Sequence, residues 1–256
     1  MANTPQSETV LETRGICLSF GALEAAKHLS FKLPRGGRRA LIGPNGAGKT
    51  TFINLLTGKL MPDSGRILLN DNDISALPFH ARVKLGLVRT FQISTLLRKM
   101  TVLENVQLAA LEQHGRGGIL LGGRSAQAEA AEEAFAMLVQ LNLDAYASKL
   151  VGELAYGIQR LIEIAVALTS RPSVLLLDEP AAGVAPAESR LIVDVIDQLS
   201  SDISVLLIEH DMNLVFRFAD WITVMAGGAI LCEGSPREIA ADPRVKEVYL
   251  GARTYD

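Results

Sequence analysis

Arg38-Arg39-Ala40-Leu41-Ile42-Gly43-Pro44-Asn45-Gly46-Ala47-Gly48-Lys49-Thr50-Thr51-Phe52 is the stretch on which the fold turns. Arg38–Ile42 reads as a short strand that runs straight into a glycine-rich segment, and helical character resumes at Gly48–Gly58. Gly43–Thr50 satisfies the pattern G-x-x-x-x-G-K-[ST], and it sits between a strand and a helix as that pattern requires. Glycines let backbone N–H groups curl around phosphate oxygens, and the helix N-terminus adds partial positive charge. Gly43, Asn45, Gly46, Ala47 and Gly48 are thus expected to cradle phosphates, with Thr51 beside them. Lys49 is placed for the β- and γ-phosphates, and the Thr50 hydroxyl for Mg²⁺.

Two further strand ends carry chemistry. Val174–Leu177 is an apolar run that stops at Asp178-Glu179-Pro180, at the edge where open α/β sheets bind ligands. Asp178 is expected to hold Mg²⁺ through water and Glu179 to polarise an attacking water. His210 follows the apolar run Val205–Ile208 and Glu209, again at the C-terminal end of a strand, within reach of a γ-phosphate. His28, His80 and His114 stand in no such position and are left as surface or packing residues. Gln92 follows a short apolar strand and, taken alone, is unremarkable.

The rest of the chain places these motifs. Val10–Phe20 and Ala25–Leu33 read as strands around a turn at Gly21–Leu23, and Arg66–Leu69 adds a small β element after the break at Pro62–Gly65. Thr101–Glu112 and Ala126–Leu141 have helical spacing, and between them His114–Arg124 carries five glycines in eleven residues. From Ile158 the pattern is helix, strand, helix, strand, helix, which implies a parallel sheet. Ile222–Met225 and Ala229–Cys232 flank Gly227-Gly228 as a hairpin, and the tail from Pro236 is helical. The expected class is α/β: a P-loop NTPase core with a mostly parallel sheet, an N-terminal antiparallel β subdomain and a helical subdomain.

Composition narrows the partners. The 256 residues are 48% hydrophobic and 21% charged, ordinary globular usage, and only 5% aromatic, which suits Leu/Ile/Val-rich buried strands under helices. A net charge of −3, from 25 basic and 28 acidic residues, gives no footprint for nucleic acid. Cys17 and Cys232 form no metal or disulfide pattern. Met1–Arg14 lacks the basic start and apolar run of a signal peptide, and no segment approaches the ~18–20 apolar residues of a membrane span. A mean hydropathy of +0.24 is consistent with a large α/β core or with apolar surface covered by a partner.

Together these residues resemble the ATPase subunits of ABC transporters, from about Val10 to Gly251. The resemblance assigns Phe20 to adenine stacking, Gly43–Thr50 to the Walker A loop and Gln92 to the Q-loop, where it also meets Mg²⁺. Leu154-Ala155-Tyr156-Gly157-Ile158-Gln159-Arg160 occupies the signature position, Asp178 and Glu179 the Walker B pair, and His210 the switch. Arg89–Gln92, Pro180–Gly183, Ile208–Met212 and Tyr249–Gly251 are similar to the branched-chain amino acid importer group, a pattern that urea and short-chain amide importers share. The resemblance implies one ABC ATPase domain over 1–256 with a helical subdomain at about 93–154. It also implies ATP and Mg²⁺ as cofactors, and Glu179, His210 and Gln92 as the catalytic set. Ala155 and Gly157 are implied to bind the nucleotide held by a second ATPase subunit, a copy or a paralogue. The implied partners are membrane permease subunits and, indirectly, a periplasmic solute-binding protein, with the chain peripheral on the cytoplasmic face of the inner membrane.

Departures from the family pattern define the rivals. Ala155 replaces the usual signature serine, Tyr156 its second glycine, Ile158 a glutamine and Ala185 the acidic or amide residue of the D-loop. Ile158 and Ala185 motivate a regulatory dimer with weak hydrolysis as an alternative, which intact Glu179 and His210 oppose. ABC proteins acting on ribosomes or DNA usually carry two cassettes or long coiled-coil insertions, and neither is visible. Ile93–Met100, apolar and next to Gln92, is expected to expose Leu96, Leu97 and Met100 to a permease helix.

Overall fold

The computed structural model describes residues 8–90, 96–113 and 124–251. They form two compact units, one from 8–87, 173–179 and 200–251, the other from 88–90, 96–113, 124–172 and 180–199.

In the first unit, β1 (Thr9–Phe20) and β2 (Leu23–Pro34) make a long antiparallel hairpin; β4 (Ser64–Leu69) pairs with β1, and β5 (Asn72–Asp73) completes the order β2-β1-β4-β5. The second sheet has the order β10-β9-β3-β8-β7-β6, from β3 (Arg38–Ile42), β6 (Leu87–Arg89), β7 (Val174–Asp178), β8 (Ser204–Ile208), β9 (Trp221–Ala226) and β10 (Ala229–Gly234). β3 pairs in parallel with β8 and β9, and β7 with β8, while β9 and β10 form the antiparallel hairpin signalled by Gly227-Gly228. The mostly parallel sheet and the antiparallel β portion are thus both present. β7 and β8 are buried at every residue, which is why their sequences are unbroken apolar runs rather than alternating ones.

The core of this unit lies between the two sheets, around α1 (Lys49–Thr57). Phe52 of α1 meets Phe31 of β2 edge to face, with ring centres 5.5 Å apart. Phe52, Ile53, Leu55 and Leu56 are each at most 1% exposed, so the helix that begins at Lys49 is clamped along its length. Its C-terminal end is held by Arg82 of the short α2 (Phe79–Lys84), a fully buried side chain. The guanidinium donates to the carbonyls of Leu55, Leu56, Ser75 and Leu77 at 2.6, 2.8, 2.9 and 2.8 Å. Burial lowers its pKa to about 10, which leaves it a cation at neutral pH. β8 leads through a sharp turn into α7 (Met212–Phe218), and α8 (Pro236–Ala241) and α9 (Pro243–Gly251) end the unit.

The second unit is helical: α3 (Val102–Gln113), α4 (Arg124–Gln140), α5 (Tyr156–Thr169) and α6 (Pro186–Asp197). Val106, Ala110, Ala134, Leu138, Leu161 and Ile162 supply its buried faces. Thr101 and Glu104 form a reciprocal cap at the start of α3: the Thr101 hydroxyl accepts from the Glu104 N–H, and the Glu104 carboxylate accepts from the Thr101 N–H. Asn105 pins the preceding segment through both its oxygen and its nitrogen to the Leu97 backbone. Of the docking face expected at Leu96, Leu97 and Met100, Leu96 departs from expectation, being 7% exposed and packed inward, while Leu97 is 49% exposed and Met100 half-buried. Leu96 is therefore a packing residue of this unit. No helix among the described residues is long and apolar enough to cross a membrane.

Candidate active site

The loop after β3 is shaped by close backbone approach. A Cβ at Gly43 would lie 2.3 Å from the Met225 carbonyl oxygen, so no larger residue fits where the loop leaves the sheet. The Gly228 N–H donates to the Ala47 carbonyl and the Lys27 N–H to the Gly228 carbonyl, bracing the loop on the β9–β10 hairpin and on β2. The N-cap of α1, Gly48, adopts the left-handed conformation and offers no side-chain cap, and the first turn of α1 carries no acidic residue. The N-terminal N–H groups of α1 thus meet no protein carboxylate from their own turn, an arrangement receptive to an anion.

Lys49 arches back over this loop. Its Nζ donates to the Gly43 carbonyl at 2.6 Å and the Pro44 carbonyl at 3.0 Å. Burial lowers the pKa of its ammonium, while the nearby carboxylates of Glu179 and Asp178 pull it back up. Asp178 ends β7 at 5% exposure. Glu179 follows with φ +49°, a left-handed backbone that costs a non-glycine residue ~1–2 kcal/mol, and its N–H donates to the Ile208 carbonyl at 2.9 Å. That turn points the carboxylate at His210, whose Nε2 lies 2.6 Å from Glu179 Oε1. His210 is positioned in turn by its N–H on the Glu209 carboxylate, and Asp211 caps α7 through the Asn213 N–H.

These groups line one cavity of about 520 Å³. The loop from Asn45 to Thr51, including exposed Thr50, forms one wall, and Glu179 and His210 stand at its mouth. Phe20 and Leu23, 51% and 67% exposed at the β1–β2 turn, form an apolar rim. Gly43 and Asp178 are buried and outside its lining, and Gln92 lies outside the described residues. A loop that a Cβ would fill, a buried lysine, a free-facing hydroxyl and a flat aromatic rim fit a nucleoside triphosphate. Leu23, Gly227 and Gly228 were not singled out for the site, and only the hairpin signal at the two glycines pointed near it. The Tyr249 hydroxyl, in the Tyr249–Gly251 stretch quoted for its family resemblance, is buried near the Gly43 backbone, and burial raises its pKa.

Ala155 and Gly157 sit in the other unit, at the N-terminus of α5. Ala155 is the N-cap and makes no side-chain bond; the Gly157 N–H donates to Glu188 Oε2 of α6 at 3.2 Å. Tyr156, 43% exposed, stacks under the Arg160 guanidinium at 4.9 Å. Ile158 is 8% exposed and faces the interior, and Ala185 is the exposed N-cap of α6.

Comparison with known proteins bears on the same residues. Residues 26–182 match the ABC transporter family, and residues 229–254 match the family described as branched-chain amino acid ATP-binding cassette transporter. The chain is 42% identical over 253 residues to the high-affinity branched-chain amino acid transport ATP-binding protein BraF of Pseudomonas aeruginosa, covering 96% of this chain and 99% of that one. It is 40% identical to LivG of Escherichia coli, described in the same words, with the same coverage. Among solved structures, a nucleotide-free ATP-binding cassette from an ABC transporter superposes with a TM-score of 0.83 at 33% identity, covering 94% of this chain and 98% of that one. A cassette in its ADP conformation gives 0.82 at 34%, covering 95% and 99%. The chain belongs to the ABC transporter family, as an ATP-binding subunit that hydrolyses ATP to power transport.

Proposed function

We propose that the chain drives an importer of branched-chain amino acids from the cytoplasmic face of the inner membrane, as one ABC ATPase domain over 1–256. The observation that carries the chemistry is the Glu179–His210 pair, 2.6 Å apart at the mouth of the phosphate-loop cavity. The cargo reading is supported by the names of the relatives and by the C-terminal match at 229–254.

In this reading the N–H groups from Asn45 to Thr51 take the phosphates and Lys49 trades its loop carbonyls for phosphate oxygens. The adenine stacks on Phe20. Mg²⁺, when bound, neutralises phosphate charge, and Thr50, Asp178 and Gln92 are the oxygen donors that would hold it. Glu179 orients the attacking water, and His210 holds the Glu179 carboxylate in place beside the γ-phosphate. Ala155 and Gly157 present the α5 N-terminus to the nucleotide on a second cassette, a copy or a paralogue, so closure depends on ATP. Permease subunits couple that closure to transport, and a periplasmic solute-binding protein delivers the cargo.

Glu179→Gln should retain ATP binding while hydrolysis falls at least ~100-fold. Hydrolysis at the parental rate would remove Glu179 from the base role. For cargo, uptake of labelled leucine and of labelled urea is compared in cells lacking the chain and in cells complemented with it. Restored urea uptake with unchanged leucine uptake would overturn the amino acid reading in favour of the amide importer group.

A further inference from the structure

The N-terminus of α5, like that of α1, lacks a local cap, and a side chain from α6 lies on it. Ala155 offers no oxygen at the N-cap, and the first turn of α5 contains no acidic residue. Such an end ordinarily takes an oxygen from Ser, Thr, Asp or Asn at the cap. Here Glu188, 31 residues further on and in the first turn of α6, supplies it, accepting from the Gly157 N–H at 3.2 Å. A Cβ on residue 157 would lie 2.6 Å from that carboxylate oxygen and 2.7 Å from the Glu188 Cβ, so it is glycine that admits the carboxylate. Glu188 is anchored by its own N–H on the Ala185 carbonyl at 2.9 Å, at the position where the D-loop lacks a polar side chain.

We propose that the Glu188 carboxylate is an internal stand-in for phosphate, which the γ-phosphate of ATP on a second cassette must displace before the two cassettes close. This rests on the reading that the α5 N-terminus completes the partner's nucleotide site. A carboxylate and a phosphate compete for the same N–H and the same helix dipole. Two anions within a few ångströms repel, so they do not share the position. Phosphate carries more charge and more acceptor oxygens and displaces the carboxylate when ATP is present. ADP has no γ-phosphate to offer and leaves Glu188 in place. After hydrolysis and phosphate release the carboxylate returns to Gly157, so the same contact that delays closure assists reopening.

The test uses the full chain carrying Glu179→Gln, so that ATP persists. Dimerisation is followed by sedimentation velocity across a MgATP titration, with and without Glu188→Gln or Glu188→Ala. Both Glu188 variants should lower the half-saturating ATP concentration for dimerisation about threefold to tenfold, while ADP affinity of the monomer stays unchanged. A merely structural Glu188 gives the opposite sign, because its loss would weaken the α5 end and closure with it. Unshifted or weakened dimerisation in the Gln variant, at an unchanged melting temperature, overturns the inference alone. A Glu179→Gln parent that stays monomeric at saturating MgATP overturns the two-cassette reading and the inference together.

Discussion

The N-termini of α1 and α5 begin from the same poverty: neither has a side-chain cap, and neither has an acid in its own first turn. Around α1 the chain keeps its carboxylates engaged elsewhere, Glu179 on His210, and places Lys49 over the loop. Around α5 it brings in Glu188 from another helix. In the proposed reading, the end that receives a ligand from solution is paired with a cation, and the end that meets its ligand only on closure holds an anion of its own meanwhile. α9 shows the ordinary solution, with Asp242 before its first turn accepting from the Arg244 N–H at 2.8 Å.

The far ends of the two helices differ as well, and the largest expected effect lies there. α5 closes on Ser170 with backbone bonds to Ala167 and Leu168; α1 closes on Gly58, whose N–H donates to the Leu55 carbonyl, and adds the Arg82 guanidinium on the Leu55 and Leu56 carbonyls. Arg82→Leu strips the guanidinium from four carbonyls and should cost on the order of 3–5 kcal/mol, read by urea unfolding. A change below about 1 kcal/mol would show that water or a shifted α2 replaces it. At the near end of α1, Lys49→Ala removes the ammonium held over the loop, and ATP affinity should weaken by roughly 1.5–3 kcal/mol, tenfold or more in Kd by calorimetry. An unchanged Kd would place the phosphates elsewhere.

A smaller effect separates the two caps. Ala155→Ser gives α5 the oxygen it lacks and should raise stability by ~0.5–1 kcal/mol in thermal melts. If Glu188 already satisfies the helix end in full, the gain vanishes, and that outcome would itself measure how well a distant carboxylate replaces a local cap. The smallest effect belongs to α9. The Arg244 guanidinium holds Asp242 at a pKa of about 2 against its usual 3.8. Because the folded value is lowered, its stabilisation is complete above the unfolded value and disappears as pH falls through about 2. A carboxyl NMR titration with a midpoint near 4 would show that this cap does not hold in solution.

Local and distant contacts were legible to different degrees. The phosphate loop, Glu179 and His210 were readable because each follows a buried strand within a few residues, and an apolar run ending in polar residues leaves that trace in one dimension. Phe20 reached the cavity rim through family resemblance, since no spacing links a hairpin turn to a loop more than twenty residues away. The Glu188–Gly157 bond could not be read, because nothing in either helix announces which faces meet. The burial of Leu96 is illegible for a related reason: a loop has no period, so the inward turn of one leucine and the outward turn of the next leave no pattern. α2 is six residues long, too short for a helical repeat to stand out.

Arg82 also bears on the order in which the chain assembles. Its bonds span at most 27 residues, from Leu55 to Arg82, whereas the Gly36–Ser204 contact beside the β3–β8 pairing spans 168. Closing the shorter loop costs less chain entropy, by about 1.6 kcal/mol on a logarithmic scale. Native contacts of short span are the ones that fast-folding chains collect first. The helix that begins at Lys49 can therefore be tied at its C-terminal end while the strands that will flank it are still apart, and the phosphate loop inherits a settled helix when the parallel sheet closes.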